Sequence, residues 1–447
     1  MQVQLIDLLE FKINEIVLVT KGGNIDLSGL YAELSLYDSL FSPVCSGSMM
    51  IRDAIGLSSK IAFDGSESIL IDITKNDDSE AAGLNYKKAF RVYKQSNRKN
   101  TGVNSEIYTL HFVSEELLLS QQTSVNQSYT STYTDVVHKI MVNYLTIPDS
   151  ELTGYFEPSV GIRKIVIPNL APIEAIRWCA KRAVDIKQSP NFVFFQNSVG
   201  FNFTTLSKLL TSPEILDITF DVKNTQDAVQ EVSGARAMEI ISQVNEAENI
   251  VRGINASRFI GFDPISKMIA QKNIPFQEMF NAIEHGNETP NITDITNRFG
   301  ESNLEQFAGK EGLNFFSTAK QFSSYIKDFD PESLSLEDNV ENYIMQRAML
   351  MGHLMSKRVK VVMPGNFQLS SGFVVNLDVK NFAQKNTNED FEDASLSGRY
   401  LITAARHIIG YEKHETVLEL ATTTTKRNFV NKSQPQQLEA ISGNYNI

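Results

Sequence analysis

Leu30-Tyr31-Ala32-Glu33-Leu34-Ser35-Leu36-Tyr37 places Leu30, Ala32, Leu34 and Leu36 at every second position, alternating with Tyr31, Glu33, Ser35 and Tyr37. Successive side chains of an extended chain point to opposite sides, so this period of two predicts a strand with one buried face. Tyr108, Leu110 and Phe112 alternate with Thr109, His111 and Val113 in the same way. Between them lie the short apolar runs Ser68–Thr74 and Phe90–Tyr93, separated by polar turns. Several short strands at this spacing predict a compact antiparallel barrel or sandwich over residues 1–114.

Residues 115–210 read as an α/β segment. Val136, Val137, Ile140, Met141, Tyr144 and Leu145 fall on one helical face, with Ser131, Thr132 and Thr134 as candidate N-caps. A second helix starts near Pro172, whose missing N–H costs nothing at a first helical position. Its apolar stripe is Ile173, Ile176, Ala180 and Ala183. Phe192–Phe195 and Phe201–Phe203 flank Asn197-Ser198-Val199-Gly200, which predicts a β-hairpin.

Strand alternation resumes at Leu216, Ile218, Phe220 and Val222. It returns at Val359, Val361 and Met363, then at Phe373–Val379, Tyr400–Ile409 and Thr416–Ala421, with turn signals at Pro364-Gly365-Asn366 and Ser371-Gly372. These stretches predict a second β-domain, 211–264 plus 356–425, split by a mostly helical, polar insertion at 265–355 with weak amphipathic stretches at Pro275–Ile283 and Tyr343–Leu354. Residues 426–447 are polar with few apolar anchors and read as a flexible or partner-ordered tail. The fold class expected is α+β and multidomain: two β-domains of similar size, which hint at an internal duplication, an α/β middle domain and a helical insertion.

Length and composition agree. The 447 residues suffice for several domains of about 100–200 residues each. With 42% hydrophobic and 21% charged residues, the chain can bury a sizeable core. Its net charge of −12 argues against a dedicated nucleic-acid binder, which needs cations to neutralise phosphates. The opening Met-Gln-Val-Gln-Leu-Ile-Asp has no apolar run, and no signal peptide is expected. Nothing approaches the roughly 18 continuous apolar residues of a membrane span, so no stable membrane insertion is expected. Cys45 and Cys179 read as free buried thiols; a disulfide would require them to meet in space.

The search for chemistry assigns no catalytic, cofactor-binding or metal-binding residue. His407 and His414 lie seven apart on segments read as strands, where an odd spacing sets two side chains on opposite faces. Lys21-Gly22-Gly23-Asn24 lacks the lysine and Ser/Thr of a phosphate loop and reads as a hairpin turn. Ser46-Gly47-Ser48 is no nucleophile elbow and reads as a turn before an apolar strand. Cys179 sits on the buried stripe of a helix, which suits a core thiol. Asp77-Asp78 and Glu115-Glu116 are sequence neighbours with no sign of facing a common cleft, and Asp77-Asp78 lies in a polar loop and reads as solvated charge. Lys87, Lys88, Arg91, Lys94, Arg98 and Lys99 form an acid-free basic cluster, which suits either a solvated strand edge protected by lysines, the favoured reading, or a basic hairpin that meets an acidic partner or a phosphate backbone.

Four stretches carry a resemblance. Leu34-Ser35-Leu36-Tyr37-Asp38-Ser39-Leu40-Phe41-Ser42-Pro43-Val44-Cys45-Ser46-Gly47-Ser48-Met49-Met50-Ile51-Arg52-Asp53 resembles the first barrel of baseplate hub proteins from contractile-tailed phages. Gly253-Ile254-Asn255-Ala256-Ser257-Arg258-Phe259-Ile260-Gly261-Phe262-Asp263-Pro264 resembles part of their second barrel. Ser397–Ile402 with Arg406-His407 is similar to their closing strands, and Phe194–Phe201 to their middle domain. The order of the four along the chain is a stronger signal than any one of them.

The resemblance implies two tail-tube-like antiparallel β-barrels per chain and a homotrimer, so that three chains form a pseudo-sixfold ring. Such a ring joins a sixfold tail tube to a threefold central spike, and type VI secretion spike proteins share the architecture. The implied partners are further copies of the chain, the tail tube protein, the central spike protein and baseplate wedge proteins, with DNA passing transiently through the channel. The implied location is the virion tail baseplate, after assembly in the host cytoplasm. No enzymatic activity and no cofactor are implied. A tail-borne cell-wall hydrolase would need a carboxylate or metal cleft, and a receptor-binding baseplate protein would need exposed aromatic platforms; with Trp178 as the one tryptophan, the sequence favours neither. The long polar insertion departs from the family pattern and is too short and too poor in motifs for a fused lysozyme.

Overall fold

The computed structural model describes residues 11–61, 63–75, 85–102, 105–148, 152, 154–187, 189–221, 234–243, 256–262, 267, 269–275, 289–290, 313–317, 340–380, 392–393, 395–411 and 413–425. The tail 426–447, Val222, Asp77-Asp78 and most of Pro275–Ile283 lie outside them.

The first β-unit contains β1 (Phe11–Thr20), β2 (Gly23–Asp26), β3 (Tyr31–Ser39), β4 (Ser46–Asp53), the short helix α1 (Leu57–Lys60), β5 (Ser68–Lys75), β6 (Tyr86–Gly102) and β7 (Ser105–Val113). Lys21-Gly22 is the tight turn of the β1–β2 hairpin, as expected. The buried face of β3 differs from the simple alternation. Leu34 and Leu36 point inward as predicted, but Tyr31 is buried and Ala32 exposed. A bulge between Tyr31 and Glu33 supplies the reason, because one extra residue reverses the parity upstream of it. Ser46-Gly47-Ser48 is not a turn but the start of β4. Gly47 is required there because a Cβ would overlap the Phe112 ring and press on the Ser35 carbonyl.

The middle unit follows with α2 (Glu115–Gln122), β8 (Ser128–Ser131), α3 (Tyr133–Tyr144), β9 (Arg163–Val166), α4 (Pro172–Ala180), β10 (Phe192–Gln196), β11 (Phe201–Thr205) and α5 (Leu206–Leu210). Thr132 caps α3 by accepting from the Asp135 amide, and Pro172 opens α4. Val136, Val137, Ile140 and Met141 pack against Ile173, Ile176 and Cys179 in one core with Phe192 and Phe203.

The remaining elements are β12 (Glu214–Phe220), β13 (Ala237–Ser242), β14 (Ala256–Phe262), β15 (Ile269–Pro275), β16 (Thr289–Pro290), β17 (Leu313–Ser317), α6 (Val340–Ser356), β18 (Arg358–Pro364), β19 (Val374–Val379), β20 (Gly398–Ile409), β21 (His414–Ala421) and β22 (Thr424–Thr425). One expectation changes here. β14, placed by sequence in the second β-domain, instead forms a separate three-stranded sheet with β15 and β17. Within 265–355 the described residues include the strands β15, β16 and β17 as well as helix α6. Pairing with β14 decides the extended state of β15 and β17, overriding weak local propensity.

The protein is mostly β. One 13-stranded sheet runs β13-β18-β21-β20-β3-β4-β7-β6-β5-β1-β2, with β12 and β19 attached beside β20. The two β-units are therefore edge-to-edge parts of a single sheet, joined where Ala404–Ile409 pair antiparallel with Leu34–Ser39. Each unit keeps its own core: Leu18, Met49, Ile71, Phe90 and Phe112 in the first, and Ile218, Val361, Val375, Tyr400 and Leu418 in the second. The second unit curls until Thr219 bridges Gly234, just ahead of β13. Helix α6 fills the angle between units, setting Met345, Met349, Leu350 and Leu354 against Phe195, Leu209, Phe259 and Leu401. Its Arg347 donates to the carbonyls of Phe192 at 2.7 Å and Pro190 at 3.2 Å.

Candidate assembly joint

The chemically distinctive part of the molecule is the joint where all three units meet. It is built around a strap, residues 365–372, that leaves β18 and returns to β19. Gly365 donates its amide to the His414 carbonyl and packs so closely that a Cβ would overlap the imidazole. Asn366 donates its amide to Thr416 Oγ1 at 2.9 Å. Phe367, though part of the second unit's strap, belongs to the first unit's core. It stacks on Tyr86 with ring centroids 5.2 Å apart and lies 5.0 Å from His407 and 4.5 Å from His414. Leu369 turns back into the second core.

The strap's far end meets a buried carboxylate. Asp38 accepts from the Ser371 amide at 2.6 Å and from Ser370 Oγ at 2.8 Å. Burial raises its pKa, opposed by those hydrogen bonds and by the nearby charge of Lys88. The β10–β11 hairpin tip enters the same joint. Asn197 Nδ2 donates to the Ser371 carbonyl and the Ser198 amide to Ser370 Oγ, both at 3.0 Å. Gln196 Oε1 accepts from the Cys45 amide at 2.9 Å and from Ser114 Oγ at 2.6 Å. Lys88 Nζ reaches the Asn197 carbonyl and Cys45 Sγ, each at 3.3 Å. Dense mutual satisfaction of this kind fixes one arrangement of the units, because any slip leaves buried polar groups unpaired.

His407 and His414 do not lie on opposite faces as their spacing suggested. The residues between them include a hairpin turn that resets the alternation, so β20 and β21 present both rings to one interior, with centroids 5.7 Å apart. Burial pushes His407 down to about 4 and His414 to about 3, the latter helped by the neighbouring imidazole. Among the described residues, no cluster of three or more His, Cys, Asp or Glu side chains is arranged to hold a metal ion. Both thiols are free and buried; burial lifts Cys45 to about 11 and Cys179 to about 12.

Three of the six residues of the basic cluster are ion-paired in the structure. Lys87 pairs with Asp72, Arg91 with Glu115 and Arg98 with Glu106. On the shared sheet an open groove of about 340 Å³ crosses the joint beside Tyr37, Ser46, Ile241, Lys360 and Arg406. Its surroundings are charge-paired as well, through Arg406–Glu33, Arg358–Glu419, Lys360–Glu239 and Arg236–Glu415. Half-exposed pairs of this type add little stability and chiefly cancel charge. No helix among the described residues is long and apolar enough to cross a membrane.

The residue pattern reached the strap only as two turn signals and Asn197 only as a hairpin-turn residue, and it singled out neither Asp38, Gln196 nor Phe367 for the joint. Burial of an aspartate inside an apolar strand was the one available hint.

No family model matches the chain, and no curated protein matches it by sequence. Solved structures do match. A tail protein from Neisseria meningitidis MC58 superposes with a TM-score of 0.52 at 10% identity, covering 92% of this chain and 96% of its own. The 43 kDa tail protein of prophage MuSo2 from Shewanella oneidensis gives 0.53 at 9% identity, covering 92% and 98%. A type VI secretion component from E. coli, described as similar to bacteriophage T4 tail proteins gp27 and gp5, gives 0.42 at 8% identity, covering 94% and 78%. Over nearly its whole length, this chain has the fold of phage tail proteins.

Proposed function

We propose that this chain is the central hub of a contractile phage tail baseplate, a structural subunit without enzymatic activity. The observation that carries the reading is the pair of β-units locked edge to edge in one sheet, in a chain with the phage-tail-protein fold. Each unit serves as one tail-tube-like barrel module, with β1–β7 forming the first and β12, β13 and β18–β21 supplying the second. Closed rings need repeated matching interfaces, and a duplicated module lets three chains offer six near-equivalent surfaces. The homotrimer adapts a sixfold tube to a threefold spike, contacts wedge proteins at its rim and lets DNA pass. The paired charges of the shared sheet suit a passage that does not grip phosphates.

Mass measurement of the purified chain by light scattering tests this. A species at three times the 50.1 kDa chain mass, with ring-shaped particles by negative-stain microscopy, is expected. A stable monomer that neither joins a tube or spike protein nor forms rings would overturn it, and peptidoglycan cleavage by that monomer would favour a hydrolase instead.

A further inference from the structure

We propose that the strap at residues 365–372 is an acid-released latch, which opens off β20 and β21 on acidification while the β20–β3 pairing that joins the two units holds. This inference does not depend on the baseplate reading.

The geometry is a layer of strap residues over two buried imidazoles. The Asn366 amide donates to Thr416 Oγ1, and His407 Nδ1 lies 3.1 Å from the same hydroxyl. A backbone hydrogen bond from His407 to Leu369 of the strap favours the charged ring, and burial outweighs it. His414 is held still more tightly. Its Nε2 is buried without a hydrogen-bond partner, Gly365 leaves no room on one side, Phe367 lies against the ring at 4.5 Å, and Phe11 meets it in a T-shaped contact at 5.6 Å. A proton carried on His414 Nε2 finds no acceptor within the site.

The groups facing this pair supply no compensating anion. Tyr86 from β6 stacks on Phe367, and Tyr31 from β3 bonds the Gly410 carbonyl through its hydroxyl. Asp38 is engaged by Ser370 and Ser371 at the other end of the strap. Asp38 acts in the opposite sense, because burial raises its pKa and acid relieves that cost. The histidines respond first on acidification. Their folded pKa values lie below the ordinary 6.5, so the closed form loses stability as pH falls from 6.5 towards 4. Each imidazole contributes a tenfold shift per pH unit, which at pH 5 is about thirtyfold for one ring and about a thousandfold for both.

Amide hydrogen exchange of the full chain between pH 7.5 and 5, corrected for intrinsic rates, tests the latch. Protection over 365–372 should fall at least thirtyfold while β4, β7 and β21 stay protected, and a His407→Gln/His414→Phe variant should show no such pH response. Unchanged strap protection, or an equal response in the double variant, would overturn the proposal. Should that variant fail to fold, NMR titration of the wild-type imidazoles decides it: a ring titrating near its ordinary value while the strap stays closed would equally sink the idea.

Discussion

Replacing Phe367 by alanine should destabilise both β-units at once, though the residue belongs in sequence to only one. The ring is 5% exposed and sits in the first unit's core, against Tyr86 and two imidazoles. A buried aromatic removes about 150–250 Å² from water, worth about 4–6 kcal/mol at roughly 25 cal/mol per Å². Alanine keeps the Cβ and the unfolded chain already shelters part of the ring, which lowers the figure. A cavity between two cores cannot collapse without moving one unit, so the loss should stay in the range of about 3–5 kcal/mol known for such truncations. Phe367→Leu refills much of the volume without the flat face and should cost about 1–2 kcal/mol. Urea unfolding gives the total, and amide exchange shows where it falls. Protection should drop in β6 of the first unit and in β18 of the second. A loss below about 1 kcal/mol, or one confined to the strap, would refute the claim that this ring couples the two cores.

Gly47→Ala should be poorly tolerated despite the small change, because the new methyl overlaps the Phe112 ring and presses on the Ser35 carbonyl; a loss of about 1–3 kcal/mol is expected, and an unchanged melting temperature would contradict the packing described. Lys357 is 3% exposed, donates to the Ser395 carbonyl at 2.5 Å, and is lowered by burial to about 8 from 10.5, with Asp393 opposing. Its folded pKa lies below the unfolded value, so from pH 8 to 9 the folded chain sheds a proton that the unfolded chain keeps, and stability should rise by about 1 kcal/mol. Lys357→Met should flatten that rise, and an identical slope in the variant would assign it elsewhere. Cys45 and Cys179 should resist a thiol reagent in the native chain and react in denaturant, since burial holds both protonated; fast native labelling of either would count against its placement.

The secondary structure was largely legible in the residues. Period two marked β7, β18 and β21, the apolar run Ser68–Thr74 marked β5, Asn197–Gly200 marked the β10–β11 hairpin, and Pro172 with its apolar stripe marked α4. These signals are local, because which side of an element is greasy is written in its own few residues. The bulge at Tyr31 and Glu33 was not legible, since pairing with β4 decides where the extra residue is absorbed. The joint was even less so. Asp38 meets Ser370 and Ser371 more than 330 residues away, and Gln196 meets Cys45 across 151. Patterning says that a face will be buried but not against what, so strand identity came from the chain alone. The single sheet, the strap and the convergence of His407 on His414 were decided by backbone pairing and apolar packing between segments far apart in the chain, which no local pattern records.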